Sequence, residues 1–234
     1  MEESIRKKLI IAADDYGIRE TSKPILELAE KGMLDRVAVF AELVTDEDMQ
    51  ALLQTRVAID IHLELMHLLK SGYEDTGGAL SRGMNFLIRR IFGMVNKDLV
   101  RAEWRRQIVL FQSRFGRLPD GLNSHEHVHY FPEFFPVIAE LAKEFGIGYV
   151  RLGKKGIIKG SHGGLTAIIL AFFGRRNRKS LLEHGRGSSE SLTSFDWFSG
   201  QDEFLALVRV SEYSDIEVVF HPERPDEKQV LESW

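Results

Sequence analysis

Short apolar runs alternate with helical stretches from Lys8 to His221, and no tight hairpin interrupts them. That order constrains the fold more than any other feature, because neighbouring parallel strands need long crossover connections and helices supply them. Lys8–Ala13 predicts a buried first strand that stops at Asp14-Asp15-Tyr16-Gly17. Thr21 and Ser22 are placed to cap a helix with Pro24 in its first turn, Ile25, Leu28 and Ala29 on its apolar face, and Gly32 at its end. Arg36–Leu43 and Val57–Leu65 predict strands around a helix over Asp46–Gln54. Met66–Gly83 is glycine-rich and aperiodic, as a substrate loop would be. In Lys97–Gly116, Val100, Trp104, Ile108, Phe111 and Phe115 step by four and three, which is one face of a helix. A helix over Glu133–Phe145, a strand over Ile147–Leu152, a helix over Gln201–Val210, a strand over Asp215–His221 and a short helix to Trp234 complete the pattern. The expected class is α/β: a single-domain (β/α) barrel, closed or incomplete and seven-stranded-like, with a doubly wound sheet as the other arrangement. Nucleotide-binding folds lose ground, since no Gly-x-Gly-x-x-Gly follows the first strand and there is no P-loop.

A chain of 234 residues can bury one large core, and no linker divides it. The formal net charge of −4 gives no electrostatic reason to expect a nucleic-acid partner. Cysteine is absent, so any metal must be held by oxygen and nitrogen. Leu9–Ala13 is too short for a signal peptide and other apolar stretches fall short of the ~20 residues of a membrane span, so a cytoplasmic protein is expected. Leu165–Phe173 reads as a core helix between solvated basic loops, and membrane contact is not expected. An apolar segment beside basic residues would nevertheless also suit an anionic membrane surface or partner.

Three of the eight histidines, His125, His127 and His129, fall within Asn123–Pro132. In an extended segment this spacing puts all three on one side. Imidazoles bind transition metals and move protons near neutral pH, and three crowded together call for a cation or a carboxylate. In a parallel α/β fold the carboxyl ends of all strands share one face, so Asp14, Asp15, His62, the histidine trio and His221 are expected to converge there. One carboxylate with two imidazoles leaves open positions on a metal. Adjacent acids at a strand end diverge, so one can bind the metal while the other faces the water it activates. A histidine across the site can then protonate the leaving group.

Ile-Ile-Ala-Ala-Asp-Asp-Tyr-Gly, Ile-Asp-Ile-His-Leu-Glu-Leu, Asn-Ser-His-Glu-His-Val-His-Tyr-Phe-Pro and Val-Val-Phe-His-Pro together resemble the signature blocks of the YdjC-like carbohydrate deacetylases, in the family's order over residues 9–222. The resemblance implies one deacetylase domain over residues 1–234 with a (β/α) barrel of the glycoside hydrolase/deacetylase type. It also implies hydrolysis of the acetyl group of an N-acetylated sugar, a chito-oligosaccharide or related glycan or glycolipid, by a metal-bound water attacking the amide carbonyl. By the same resemblance Asp15, His62 and His125 would hold one divalent metal ion, Mg²⁺ or Zn²⁺. Asp14 would be the general base, His221 the general acid, and Arg151 the cation holding Asp14. His127, His129 and Tyr16 would face the substrate or support the site from behind. The expected partner is a small acetylated carbohydrate, with a homodimer left open. This chain departs from the family at Ala13 (usually Asn), at Asp60 and Glu64 in a block that usually reads Gly-hydrophobic-His-Leu-Asn-Leu, at Glu126, and at Glu223; none of these removes an expected ligand. Two other readings compete. A carbohydrate-binding or regulatory protein would need no base, metal and acid together; a hydrolase of a different amide or of a phosphoester keeps the enzyme and changes the bond, and a phosphate site would recruit more fixed cations than Arg151.

Overall fold

The computed structural model describes residues 1–18, 20–65 and 96–234. In chain order these residues form α1 (Glu3–Arg6), β1 (Leu9–Tyr16), α2 (Ser22–Glu30), β2 (Arg36–Val39), α3 (Asp46–Leu53), β3 (Ala58–Leu63), α4 (Lys97–Phe115) and β4 (Gly121–Ser124). A 3₁₀ turn (His125–Tyr130), α5 (Phe135–Glu144), β5 (Tyr149–Val150), β6 (Gly156–Ile157) and α6 (Gly164–Glu183) follow. The chain continues through β7 (Ser191–Ser194), a second 3₁₀ turn (Phe195–Trp197), α7 (Gln201–Val210), β8 (Ile216–Phe220) and α8 (Pro225–Glu232). The substrate loop expected over Met66–Gly83 lies outside the described residues.

The expected α/β class is the one adopted. Among the described residues eight strands, all parallel, lie in the order β5-β4-β3-β2-β1-β8-β7-β6. The sheet curls, and both of its edge strands come beside one stretch of chain. β5 and β6 are successive pieces of one segment, and both lie beside the chain that runs into β7. Val150 N–H donates to Gly187 O at 3.0 Å, and Gly156 pairs with Ser191. Helices cover the outside, and apolar residues of both layers form one core. α4 shows the local logic. Asn96 accepts from the N–H groups of Asp98 and Leu99 at its start, and Gly116 ends it with a left-handed φ of 67°. Its predicted face, from Val100 to Phe115, is buried.

Inside the curl the filling is ionic. Arg36 forms a two-pronged pair with Asp60, at 2.8 and 2.5 Å, and lies over the Tyr149 ring at 4.1 Å. Tyr149 OH donates to Glu217 Oε2 at 2.7 Å, and Arg151 Nε donates to Glu217 Oε1 at 2.7 Å. These bonds join β5 to β8 and β2, which are not neighbours in the sheet, so they cross its concave interior. Gly121 makes room for them, because a Cβ there would stand 2.6 Å from both Arg36 Nη2 and Asp60 Oδ1. Gly121→Ala is therefore expected to lower stability by roughly 1–3 kcal/mol, the usual cost of overpacking, read as a lower midpoint in urea unfolding.

Four local expectations are corrected. β1 runs on through the acids to Tyr16, with its pairing to β2 shifted between Ala13 and Tyr16 and Asp15 at a φ of 67°. Thr21 does not cap α2 with its side chain; its hydroxyl donates to the carbonyls of Asp15 and Ile18, which holds the turn after β1. The histidine segment is not extended, since Glu126 and His127 take left-handed φ values of 51° and 54° directly after β4. Helix α6 continues through the stretch read as a basic loop, because Gly174 fits against Tyr130 and Asn177 donates to Tyr130 O at 2.7 Å. It is only in part a core helix: Ala167 and Leu170 are buried, while Leu165, Ile168, Ile169 and Phe172 are exposed.

Candidate metal and catalytic site

The parallel sheet gathers the chemistry at its carboxyl edge. Asp14 and Asp15 end β1, His62 is near the end of β3, His125 follows β4, Arg151 follows β5 and His221 follows β8. β1 and β8 are in register up to Ala13 and Phe220, so Asp14 and His221 leave adjacent strands at the same level.

The bulge in β1 sends its two acids to different partners. Asp15 Oδ1 lies 3.0 Å from His125 Nδ1 and 3.2 Å from His62 Nε2. The three donor atoms all lie within 4.8 Å of one another, a spacing that one cation can bridge. His62 Nδ1–H donates to Asn123 Oδ1 at 2.5 Å. A carboxamide oxygen can only accept, so Nδ1 carries a proton, and in the neutral ring Nε2 then presents its lone pair to the Asp15 carboxylate. Two lone-pair donors aimed at each other are what a metal between them resolves, and a histidine oriented through its other nitrogen is the usual support for such a ligand. The donor set therefore fits a divalent ion. Burial pushes the Asp15 carboxyl up, but the His125 and His62 rings beside it outweigh this and hold the group well below the usual range. Burial lowers the His125 pKa, and Asp15 more than reverses this and raises it.

Asp14 turns to the other side. Arg151 Nη1 donates to Asp14 Oδ2 at 2.6 Å while its Nε is held by Glu217. Burial alone would raise the Asp14 pKa; the Arg151 charge overturns that and leaves it at about 2. Asp14 Oδ1 is buried and accepts no hydrogen bond. His221 N–H donates to Glu227 Oε2 at 2.7 Å, and the ring's Nδ1 stands 3.9 Å from the same oxygen.

The other residues expected here divide. His129 is buried, with Nε2–H donating to Arg151 O at 2.9 Å and Nδ1 accepting from Ser124 Oγ at 2.7 Å. It ties the end of β4 to the end of β5, and burial followed by the nearby His127 keeps its pKa well below 6.5. His127 lies between these groups with Nδ1 buried and unbonded, and burial together with the Arg151 charge lowers its pKa to about 4. Tyr16 is not brought to the site. The bulge turns it into the core, where its hydroxyl donates to Asp48 O at 2.9 Å. Sequence reasoning missed Asn123 and Glu217 as supports. The signal for Glu217 was an acid inside the otherwise apolar strand Ile-Glu-Val-Val-Phe, and Asn123 stood at the head of the histidine block.

A family model described as YdjC-like protein matches residues 8–233. A carbohydrate deacetylase from Danio rerio is 27% identical over 154 residues, which is 62% of this chain and 49% of that protein. A carbohydrate deacetylase from Clostridium beijerinckii is 29% identical over 152 residues, 60% of this chain and 58% of the relative. A chitooligosaccharide deacetylase from Escherichia fergusonii is 24% identical over 163 residues, 67% and 64% of the two. The chain thus spans between about half and just under two thirds of the length of these curated relatives. In fold it is similar to the crystal structure of a candidate cellobiose-phosphate cleavage protein from Enterococcus faecalis V583, with a TM-score of 0.64 and 20% identity over 91% of this chain and 80% of the other.

Proposed function

Since the chain belongs to the YdjC-like protein family, we propose that it is a metal-dependent hydrolase that removes the acetyl group from N-acetylated sugars. The observation that carries this reading is the pairing of the Asp15–His62–His125 cluster with an ionised, partly unbonded carboxylate on the adjacent residue, Asp14. Two nitrogens and one oxygen favour Zn²⁺ or another transition ion over Mg²⁺. When bound, such an ion polarises an amide carbonyl and acidifies water.

The chain's own groups do the proton work. Asp14, oriented by Arg151 through Oδ2, takes the proton of the attacking water at Oδ1. The water oxygen bonds to the acetyl carbon, His221 gives a proton to the sugar nitrogen, and the C–N bond breaks to leave acetate and the free amine. His127, kept neutral by burial, borders the substrate without competing for the proton.

The test is acetate release over a panel of acetylated sugars, with metal content measured on the same preparation. The parent should release acetate from at least one N-acetylated sugar. Asp14→Asn should keep its metal and lose turnover by about 10²–10⁴-fold, the usual worth of a positioned base. Release from no sugar at full metal occupancy would overturn the reading, and loss of metal in the variant would exchange the roles of the two aspartates.

A further inference from the structure

Helix α6 carries an outward strip with two chemistries. Leu165, Ile168 and Phe172 are 61%, 52% and 64% exposed, and Ile169 stands beside them. Steps of three and four place them on one face, so they form a single apolar patch. Isolated surface leucines are ordinary, whereas four large apolar side chains on two successive turns mark a contact surface. Exposed basic side chains lie at both ends of the patch: Lys159 and His162 before it, Arg175, Arg176 and Lys179 after it. The one acid in the helix, Glu183, stands 3.6 Å from Lys179, so Arg175 and Arg176 have no neutralising carboxylate on their own helix.

The patch sits at the rim of the candidate site. The inner side of α6 packs on the histidine turn, with Phe173 and Phe131 ring centres 5.4 Å apart and Asn177 bonded to Tyr130 O. The chain enters the helix beside the turn that follows β7, where His162 N–H donates to Trp197 O at 2.8 Å. The first turns of α6 therefore stand on the side of the sheet where Asp15, His62 and His125 gather.

We propose that this face docks the protein on an anionic lipid bilayer, with the mouth of the site turned toward the surface. Leucine, isoleucine and phenylalanine enter the boundary between headgroups and acyl chains, and the flanking arginines and lysines meet the lipid phosphates. Among the described residues no helix is long and apolar enough to cross a membrane, so the contact is made at the surface. A second copy fits this face poorly, because a two-fold axis through the apolar patch brings Arg175 and Arg176 of one chain toward Lys159 and His162 of the other.

The experiment is flotation of the full chain with vesicles of phosphatidylcholine, alone or mixed with phosphatidylglycerol. Binding is expected to the mixed vesicles and to weaken as salt is raised. Ile168→Ser combined with Phe172→Ser should cut the bound fraction on the order of tenfold or more. Arg175→Gln and Arg176→Gln should each weaken binding to the anionic vesicles about fivefold. Both sets replace exposed side chains, so thermal melting should match the parent and show that the fold is kept. The proposal is overturned if the parent does not float with anionic vesicles, or if both sets float as the parent does. It is also overturned if sedimentation shows a parent dimer that Phe172→Ser dissociates. The docking stands apart from the deacetylase reading: vesicle binding without acetate release would keep the first and remove the second.

Discussion

His125→Ala is expected to abolish tight retention of a divalent ion and to lower acetate release on the order of a thousandfold or more. His125 Nδ1 is one of the three donors of the cluster, with Asp15 Oδ1 and His62 Nε2, and two remaining donors give a much weaker site. The contrast that makes this specific is Asn123→Ala. Asn123 orients His62 from behind and supplies no donor to the cluster, so its loss should cost only about ten- to a hundredfold in metal affinity, as supports of metal-binding histidines do. Metal content after dialysis against a weak chelator reads both. A His125→Ala protein that keeps its metal and its turnover would remove the ligand assignment.

Arg151→Met is expected to destabilise the fold by roughly 3–5 kcal/mol, a larger stability effect than that of Gly121→Ala. Arg151 is buried and holds two carboxylates, Asp14 at 2.6 Å and Glu217 at 2.7 Å. Removing it leaves two negative charges facing each other out of water. The sign of the pH response follows. In the parent, Arg151 depresses the Asp14 pKa to about 2, so its stabilising effect is present above the unfolded carboxyl pKa and is lost only under strong acid. In the variant, burial outweighs the opposing charge that remains and raises that pKa, so the deficit against the parent should shrink as pH falls and the acids take up protons. Urea midpoints for both proteins between neutral and mildly acid pH check this. A deficit that stays constant would mean the damage comes from lost packing.

The alternation of apolar runs made the parallel sheet legible, and the carboxyl-edge rule brought Asp14, Asp15, His62, His125 and His221 to one rim. Those residues sit at strand ends, where sequence position alone decides location. What was not legible depended on backbone angles. The histidine trio reads as one face only if the segment is extended; two left-handed residues, Glu126 and His127, separate it into a residue of the Asp15 cluster, a buried neighbour and a strut. Tyr16 belongs to the Asp-Asp-Tyr-Gly block on which the resemblance rests, and one bulge turns it away from the site. The short strands β6 and β7 were missed because two to four residues carry no periodicity. The outer half of α6 was read as core because hydrophobicity reports what a residue prefers, and burial depends on what the fold places over it.

The ionic filling of the sheet also limits how this chain can diverge. Arg36, Asp60, Tyr149, Arg151 and Glu217 each satisfy at least one other member, and Gly121 supplies their space. Changing one alone strands a partner's charge, so these six positions should be inherited or replaced as a block. A relative with glycine at the place of Asp60 should accordingly have lost the guanidinium at the place of Arg36, and the position matching Gly121 becomes free to carry a side chain.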